Sequence, residues 1–241
     1  MRFTAFLGTA LAAVLFMGCA SSVQTSDSAN APSVAEASDD QSDFEEAVAK
    51  SDSLGGLFTV YRDTTDGSLQ MALDTSQIGQ EYIYFTHTVD GVTEAGHFRG
   101  AYRNNAIFKI RRHYNRIEFV EVNTSFHFNE ESALNRAADA NISPSVLHVE
   151  DIVAENEEQG LVLIEADDLF LTEALHQVKP SPSPGESPTS FSLGRQSQEK
   201  SRVSAVHNYP KNTDVVVDYV YENPTPVNPG SDAVTDARNV T

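Results

Sequence analysis

The sequence predicts a mainly β fold with short helices (α+β), built on antiparallel meander sheets. Three observations lead there. Between residues 55 and 122, short runs rich in β-branched and aromatic residues recur, separated by polar turns. Asp66-Gly67 sits between two of those runs as a strong hairpin signal. Runs of the same kind return at 146–152, 161–166 and 215–221, with short helical patterns between them.

The elements follow in order. The run starting at Leu57 and the run 69–73 form the first hairpin, and 74–80 reads as a turn or a single helical turn. In 81–89, Ile83, Phe85 and Val89 alternate with Tyr82, Tyr84, Thr86 and Thr88. Both faces are semi-apolar, so a central strand covered on both sides is expected. Phe108 and Ile110 alternate with Lys109 and Arg111, and Ile117 and Phe119 with Arg116 and Glu118. Each of these strands therefore has one wet face, and Tyr114-Asn115 is the turn between them. A short helix is expected over 130–140, where Leu134 and Ala138 share a face, and Pro144 closes that region. The runs 146–152 and 161–166 form a hairpin through an acidic turn. Asp167-Asp168 then read as the cap of a helical turn. The Pro/Ser-rich 178–190 is an exposed loop. Strands resume at 202–206 and 215–221, and the later strands are expected to extend one sheet system. The stretch 235–241 is expected to be an interruption before another strand.

Length and charge restrict the function. Setting aside a targeting segment and polar linkers leaves about 160 patterned residues of the 241, enough for one large or two small domains. A net charge of −19 argues against a nucleic-acid partner and against adsorption to anionic lipid. The single cysteine, Cys19, leaves the body without an internal disulfide.

Residues 1–19 read as a lipoprotein-type signal peptide. Met1-Arg2 is a short positive start, 3–17 is an apolar run too short to span a bilayer comfortably, and Gly18-Cys19 ends it. This resembles a bacterial lipoprotein signal, with Cys19 as the lipidated residue; ordinary cleavage after Ala20 is the alternative. The only thiol stands where a lipid would be attached, and several acyl chains give stable anchoring. Ala20 is not the aspartate of inner-membrane retention, so the resemblance implies an outer-membrane anchor. Residues 20–50 form a flexible acidic, Ser-rich tether spanning roughly 30 Å. Within it, 43–50 has the pattern of two helical turns with Phe44, Ala47 and Val48 on one side. Residues 51–241 are the β-rich module.

No catalytic motif is present. None of the seven histidines stands three or four residues from another, so no helical zinc pair exists. There is no Gly-x-Ser-x-Gly elbow, Walker loop or dinucleotide fingerprint, and no free thiol outside the signal. Three weaker constellations remain. Glu165, Asp167 and Asp168 offer paired carboxylates, which a strand end and a helix cap explain more simply. Arg99, Arg103, Lys109, Arg111, Arg112 and Arg116, with His113, form a basic island in an acidic chain. They are either the wet face of a hairpin or a docking surface for an acidic partner. Tyr82, Tyr84, Tyr102 and Tyr114 either line a ligand groove or serve sheet packing.

Five stretches together resemble one family: 56–61 (Gly-Leu-Phe-Thr-Val-Tyr), 79–84 (Gly-Gln-Glu-Tyr-Ile-Tyr), 107–112 (Ile-Phe-Lys-Ile-Arg-Arg), 162–172, which ends Asp-Asp-Leu-Phe-Leu-Thr, and 201–221. In this order they look like the N-terminal region, of unknown function, that precedes the catalytic domain in bacterial secreted or lipoprotein zinc-dependent metalloproteases of the metzincin-like type. The resemblance covers roughly residues 55–241. The family's catalytic residues lie in a His-Glu-x-x-His-x-x-Gly-x-x-His motif, and no position here matches it. No catalytic or metal-binding residue carries over, zinc is expected only in the catalytic domain, and these residues are expected to be inactive by themselves. The expectation is a non-catalytic module that positions or restrains a protease domain. It would be anchored in the cell envelope, facing the periplasm or exterior, as a fragment, a truncated gene product or a stand-alone relative of the leading domain. The alternative is an outer-membrane lipoprotein that binds a periplasmic peptide, glycan or protein.

Overall fold

The computed structural model describes residues 39–129, 131–178, 185, 193–224 and 236–240, all within the unit spanning Ala37–Thr241. The signal peptide, Cys19 and the first part of the tether lie outside the described residues, as does most of the Pro/Ser loop.

The fold is mostly antiparallel β with a few short helices, as the strand patterning predicts. The strands are β1 (Ser51–Leu54), β2 (Thr59–Asp63), β3 (Leu69–Asp74), β4 (Glu81–His87), β5 (Tyr102–His113), β6 (Arg116–Glu121), β7 (Ser145–Asn156), β8 (Leu161–Glu165), β9 (Arg195–Tyr209), β10 (Asn212–Asn223) and β11 (Asp236–Val240). The helices are α1 (Asp39–Val48), α2 (Ala133–Asn141) and α3 (Asp167–Leu171), with single 3-10 turns at Thr75–Gln77 and Thr93–Ala95. Eight strands form one sheet in the order β1-β2-β3-β8-β7-β6-β5-β4, and three form a second in the order β11-β10-β9.

This order corrects the expected continuous meander. The hairpin β2–β3 and the meander β4–β5–β6 both exist, but β3 and β4 do not pair. The hairpin β7–β8 is inserted between them: β3 pairs with β8 and β6 with β7. Long β7 joins the halves, its first seven residues registering on β6 and Ile152 to Asn156 on β8, with a register shift in each ladder. β10 likewise belongs to the second sheet rather than extending the first.

The strands covered on both faces are β3 and β8, not β4. Met71, Leu73, Val162 and Ile164 enter the main core, which the β9–β10 hairpin covers through Val203, Val206, Val215 and Val217. On the opposite face, Ala72 and Leu163 meet Ala154 and Phe44 of α1. A continuous apolar run such as Leu161-Val162-Leu163-Ile164 is what two-sided burial requires. β4 is instead the edge strand, with Ile83 and Phe85 59% and 61% exposed. Its aromatic residues suit a pleated surface whether or not that surface is covered.

Helix α1 falls within the stretch read as tether. It sets Phe44, Ala47 and Val48 on one side, as the spacing predicts, and buries Phe44 against the sheet. Helix α2 is capped by Ser132, whose hydroxyl accepts from the Asn135 N–H, and its Leu134 is exposed. The expected cap of α3 differs. Ala166 is the N-cap, with no side-chain bond, while Asp167 and Asp168 occupy the first turn, where carboxylates suit the helix dipole. The Asp167 carboxylate accepts instead from the Leu69 N–H, 2.9 Å away on β3.

Four contacts tie the tip of the β9–β10 hairpin to the loop after β1, one of them the Phe58 N–H donating to Thr213 Oγ1 at 3.4 Å. The Leu57 N–H donates to the Tyr209 carbonyl at 2.7 Å, and Asn208 Nδ2 donates to the carbonyls of Leu54 and Phe58 at 2.7 and 2.6 Å. Gly56 is required there: a Cβ would fall 1.8 Å from Asn208 Oδ1. At its other end, the hairpin holds α3 through the Tyr219 hydroxyl, which donates to the carbonyls of Phe170 and Thr172.

Candidate functional site

The two sheets do not close on each other completely. Between β4 and the first half of β10 lies a cavity of about 550 Å³, within the range of small-molecule sites. Consecutive residues 82–89 and 212–217 line it, so it runs along the edges of both strands rather than one face. Among the described residues, β4 is the end of its sheet and β10 pairs with β11 only from Tyr219 to Asn223, so 212–218 are laddered on the β9 side alone. The interior wall is apolar, with Phe58, Met71, Phe108, Phe119 and Leu169 among its members.

His207, Asn212, Thr213 and Asp214 line the cavity at the tip of the β9–β10 hairpin, and a second polar group surrounds His97. His97 is 3% exposed, and its Nε2 lies 3.1 Å from the Val178 carbonyl. A carbonyl only accepts, so Nε2 carries the proton. Burial, and then the neighbouring Arg103 charge, lower the affinity of His97 for a second proton. Neutral Nδ1 therefore presents a lone pair, and it is buried with no hydrogen-bond partner among the described residues. Gly91 makes this seat possible, because a Cβ there would stand 2.7 Å from the His97 Cβ. His176 lines the same cavity and is likewise held neutral by burial and by Arg103. Arg103 donates from Nε to buried Thr88 Oγ1 at 2.7 Å and from one terminal nitrogen to the Gly96 carbonyl at 2.6 Å. The Glu173 carboxylate acts on both histidines electrostatically, and it accepts from the Tyr221 hydroxyl and the Val178 N–H. Burial and that bond raise Tyr221 far above the usual phenol range, so it stays a donor.

The residues singled out in sequence are dispersed. Within the basic island, Arg99 pairs with Asp90, Lys109 with Glu81, Arg111 with Glu118, Arg112 with Glu155 and Arg116 with Asp151. Arg103 is the exception: no carboxylate among the described residues lies within ion-pair distance of it. Tyr82 and Tyr84 line the cavity. Tyr102 packs against Phe85 on the outer face of the sheet, and Tyr114 is an exposed turn residue with φ 52°. Glu165 accepts from Gln70, Asp168 from Gln198 and Asp167 from the Leu69 N–H, so all three carboxylates have structural partners. Among the described residues, no three His, Cys, Asp or Glu side chains are arranged to hold a metal ion. No described helix is long and apolar enough to cross a membrane.

Sequence reasoning missed His97, Glu173, His176 and Tyr221 as a group. Nearly eighty positions separate His97 from Glu173, and no spacing rule joins them.

These features define a β-rich protein with an open, partly polar cavity between two sheets. Residues 100–240 match the model of a family described as a domain of unknown function, DUF5117, and the chain belongs to that family. No curated protein and no solved structure matches it.

Proposed function

We propose that the chain is the non-catalytic module of an envelope-anchored, zinc-metalloprotease-like protein, and that it positions or restrains a protease domain these residues do not contain. The observation that carries this reading is the edge strand β4, which pairs with β5 alone among the described strands, and its exposed apolar outer face. Ile83, Phe85 and Tyr102 are each more than half exposed there, and neighbouring Ile107 is half-buried. An open edge beside exposed aromatic side chains is a surface that a protein partner can cover by strand addition and burial. Lys109 borders this face through its pair with Glu81. Such exposed pairs are worth little, so exchange with a partner's carboxylate costs little. The ordered resemblance of five stretches is what supports a protease domain as the partner. Cys19 would carry the lipid and set the module at the outer membrane; zinc would belong to the partner domain.

The test is site-specific photo-crosslinking in the producing cell, with a photoreactive phenylalanine at position 85 and a control at Tyr114, beyond the opposite end of β5. The expected product joins position 85, and not 114, to a polypeptide segment bearing His-Glu-x-x-His. Equal labelling from both positions, or no metalloprotease segment in the product, refutes the reading. The cavity favours a second reading, a stand-alone outer-membrane lipoprotein that binds a periplasmic peptide, glycan or protein. In that case position 85 captures no protease segment.

A further inference from the structure

We infer that the cavity between β4 and β10 is a binding site for a single-chain amphiphile with a carboxyl head group, seated with that head between Arg103 and His97. This rests on the cavity and not on the protease-docking reading.

The apolar part specifies the body of the ligand. Side chains such as Phe108, Phe119, Met71 and Val217 present carbon to a space large enough for a drug-sized molecule. A ligand that removes this wall from water gains in proportion to the apolar area covered. The space runs along two strand edges, so an extended chain fits its form better than a compact polar molecule.

The polar end specifies the head. Five of the six arginine and lysine residues of the basic island have a carboxylate partner, and the sixth, Arg103, lines the cavity with none among the described residues. Two of its guanidinium nitrogens are fixed by Thr88 and Gly96, which aligns the group, and the third makes no hydrogen bond among the described residues. A guanidinium so held is suited to a planar oxygen acid. Beside it, His97 offers the opposite requirement, a buried lone pair on Nδ1 with nothing to accept from. Leaving such a group unmatched is costly, and a partner that supplies a donor removes the cost. A carboxyl group answers both needs: one oxygen accepts from Arg103, and the acid supplies the proton that His97 Nδ1 can accept. Arg103 and His97 thus take up one carboxylate and one proton together. A fully ionised sulfate-like head supplies acceptors only, and an alcohol supplies no planar pair of oxygens. The other ionisable groups around this end are His176, which burial and Arg103 keep neutral, Glu173, and the hydroxyls of Tyr219 and Tyr221; Tyr82, Tyr84, His87, His207 and Asp214 also line the cavity.

The experiment is calorimetric titration of the purified folded module with dodecanoate below its micellar concentration, alongside dodecanol. Runs in two buffers of different ionisation enthalpy report proton uptake. Saturable one-to-one binding of dodecanoate is expected, with uptake of a proton near neutral pH. Dodecanol, or dodecanoate on Arg103→Gln, should bind about tenfold or more weakly, the range for one charge-assisted hydrogen bond. Val217→Trp, which fills the cavity from β10, should abolish binding. Because the dodecanol comparison uses the unaltered protein, a folding defect in either variant does not blunt the test. Equal affinity for dodecanol, binding without proton uptake, undiminished binding by folded Val217→Trp, or no saturable binding overturns the assignment.

Discussion

Replacing Asn208 with alanine tests how the second sheet is fastened to the first. The side chain donates to the Leu54 and Phe58 carbonyls at 2.7 and 2.6 Å and accepts from Thr213 Oγ1 at 2.7 Å. Each such bond contributes about 0.5–1.5 kcal/mol net. Asn208 is half-buried and water can reach part of the site, so a total of about 2 kcal/mol, near the low end of the sum, is expected. Gly56→Ala should cost a similar amount by a different route. The new Cβ would fall 1.8 Å from Asn208 Oδ1 and 2.1 Å from its Cγ, so the Asn208 side chain must leave its bonds. The Gly56 backbone is not in the left-handed region, so no conformational penalty is added. The two substitutions should therefore be strongly non-additive, with the double variant no less stable than Asn208→Ala alone. Urea unfolding of the four proteins measures this, with an unchanged m-value as the check that the same surface is exposed. Additive losses, or a loss below about 0.5 kcal/mol for Asn208→Ala, would refute this account of the junction.

Two further outcomes are expected. Burial holds the Asp167 carboxyl above the usual carboxylate range against the opposing Leu69 N–H bond. The folded protein then holds that proton more tightly than the unfolded chain, so this group's contribution to stability is full at low pH. It falls as pH rises from the ordinary aspartate value through the raised folded one. Asp167→Asn keeps an oxygen for Leu69 and should be at least as stable as the parent at neutral pH, losing that advantage below the aspartate range. Denaturant unfolding across pH reads it, and a lower stability of the variant at neutral pH contradicts it. Phe44→Ala empties the contact of α1 with Ala72, Ala154 and Leu163. A core Phe-to-Ala change costs about 3–5 kcal/mol, but a short helix packed on one face of a sheet can detach first. The expected sign is therefore rapid proteolysis within 39–50 ahead of global unfolding, and unchanged protection there contradicts it.

Much of the fold was legible locally. The alternation of Phe108 and Ile110 with Lys109 and Arg111, and of Ile117 and Phe119 with charged neighbours, marked strands with one wet face, and Tyr114-Asn115 marked their turn. Asp66-Gly67 marked the first hairpin, with Gly67 at φ 81°. Strand order was not legible. Placing β7–β8 between β3 and β6 depends on which apolar faces match across a long loop, and neighbours in sequence gave no hint of it. For the same reason the pattern of 81–89 points to a central strand: it says that both faces tolerate apolar residues, not that both are covered. Of the cavity's polar end, only Arg103 was visible beforehand, as one of a charged group whose other five members turned out to have carboxylate partners within the chain.

By itself, then, the sequence determined the β-rich class, most strand positions and turns, and the lack of a His-Glu-x-x-His motif, because each depends on a few adjacent residues. Tertiary structure alone decided that β4 is an edge, that α1 closes the far face of the sheet, and that Arg103 meets His97, His176 and Glu173 at the end of an apolar cavity. Those outcomes depend on contacts between residues far apart in the chain. Only the packing of the whole body sets which charges find partners and which buried lone pair is left without one.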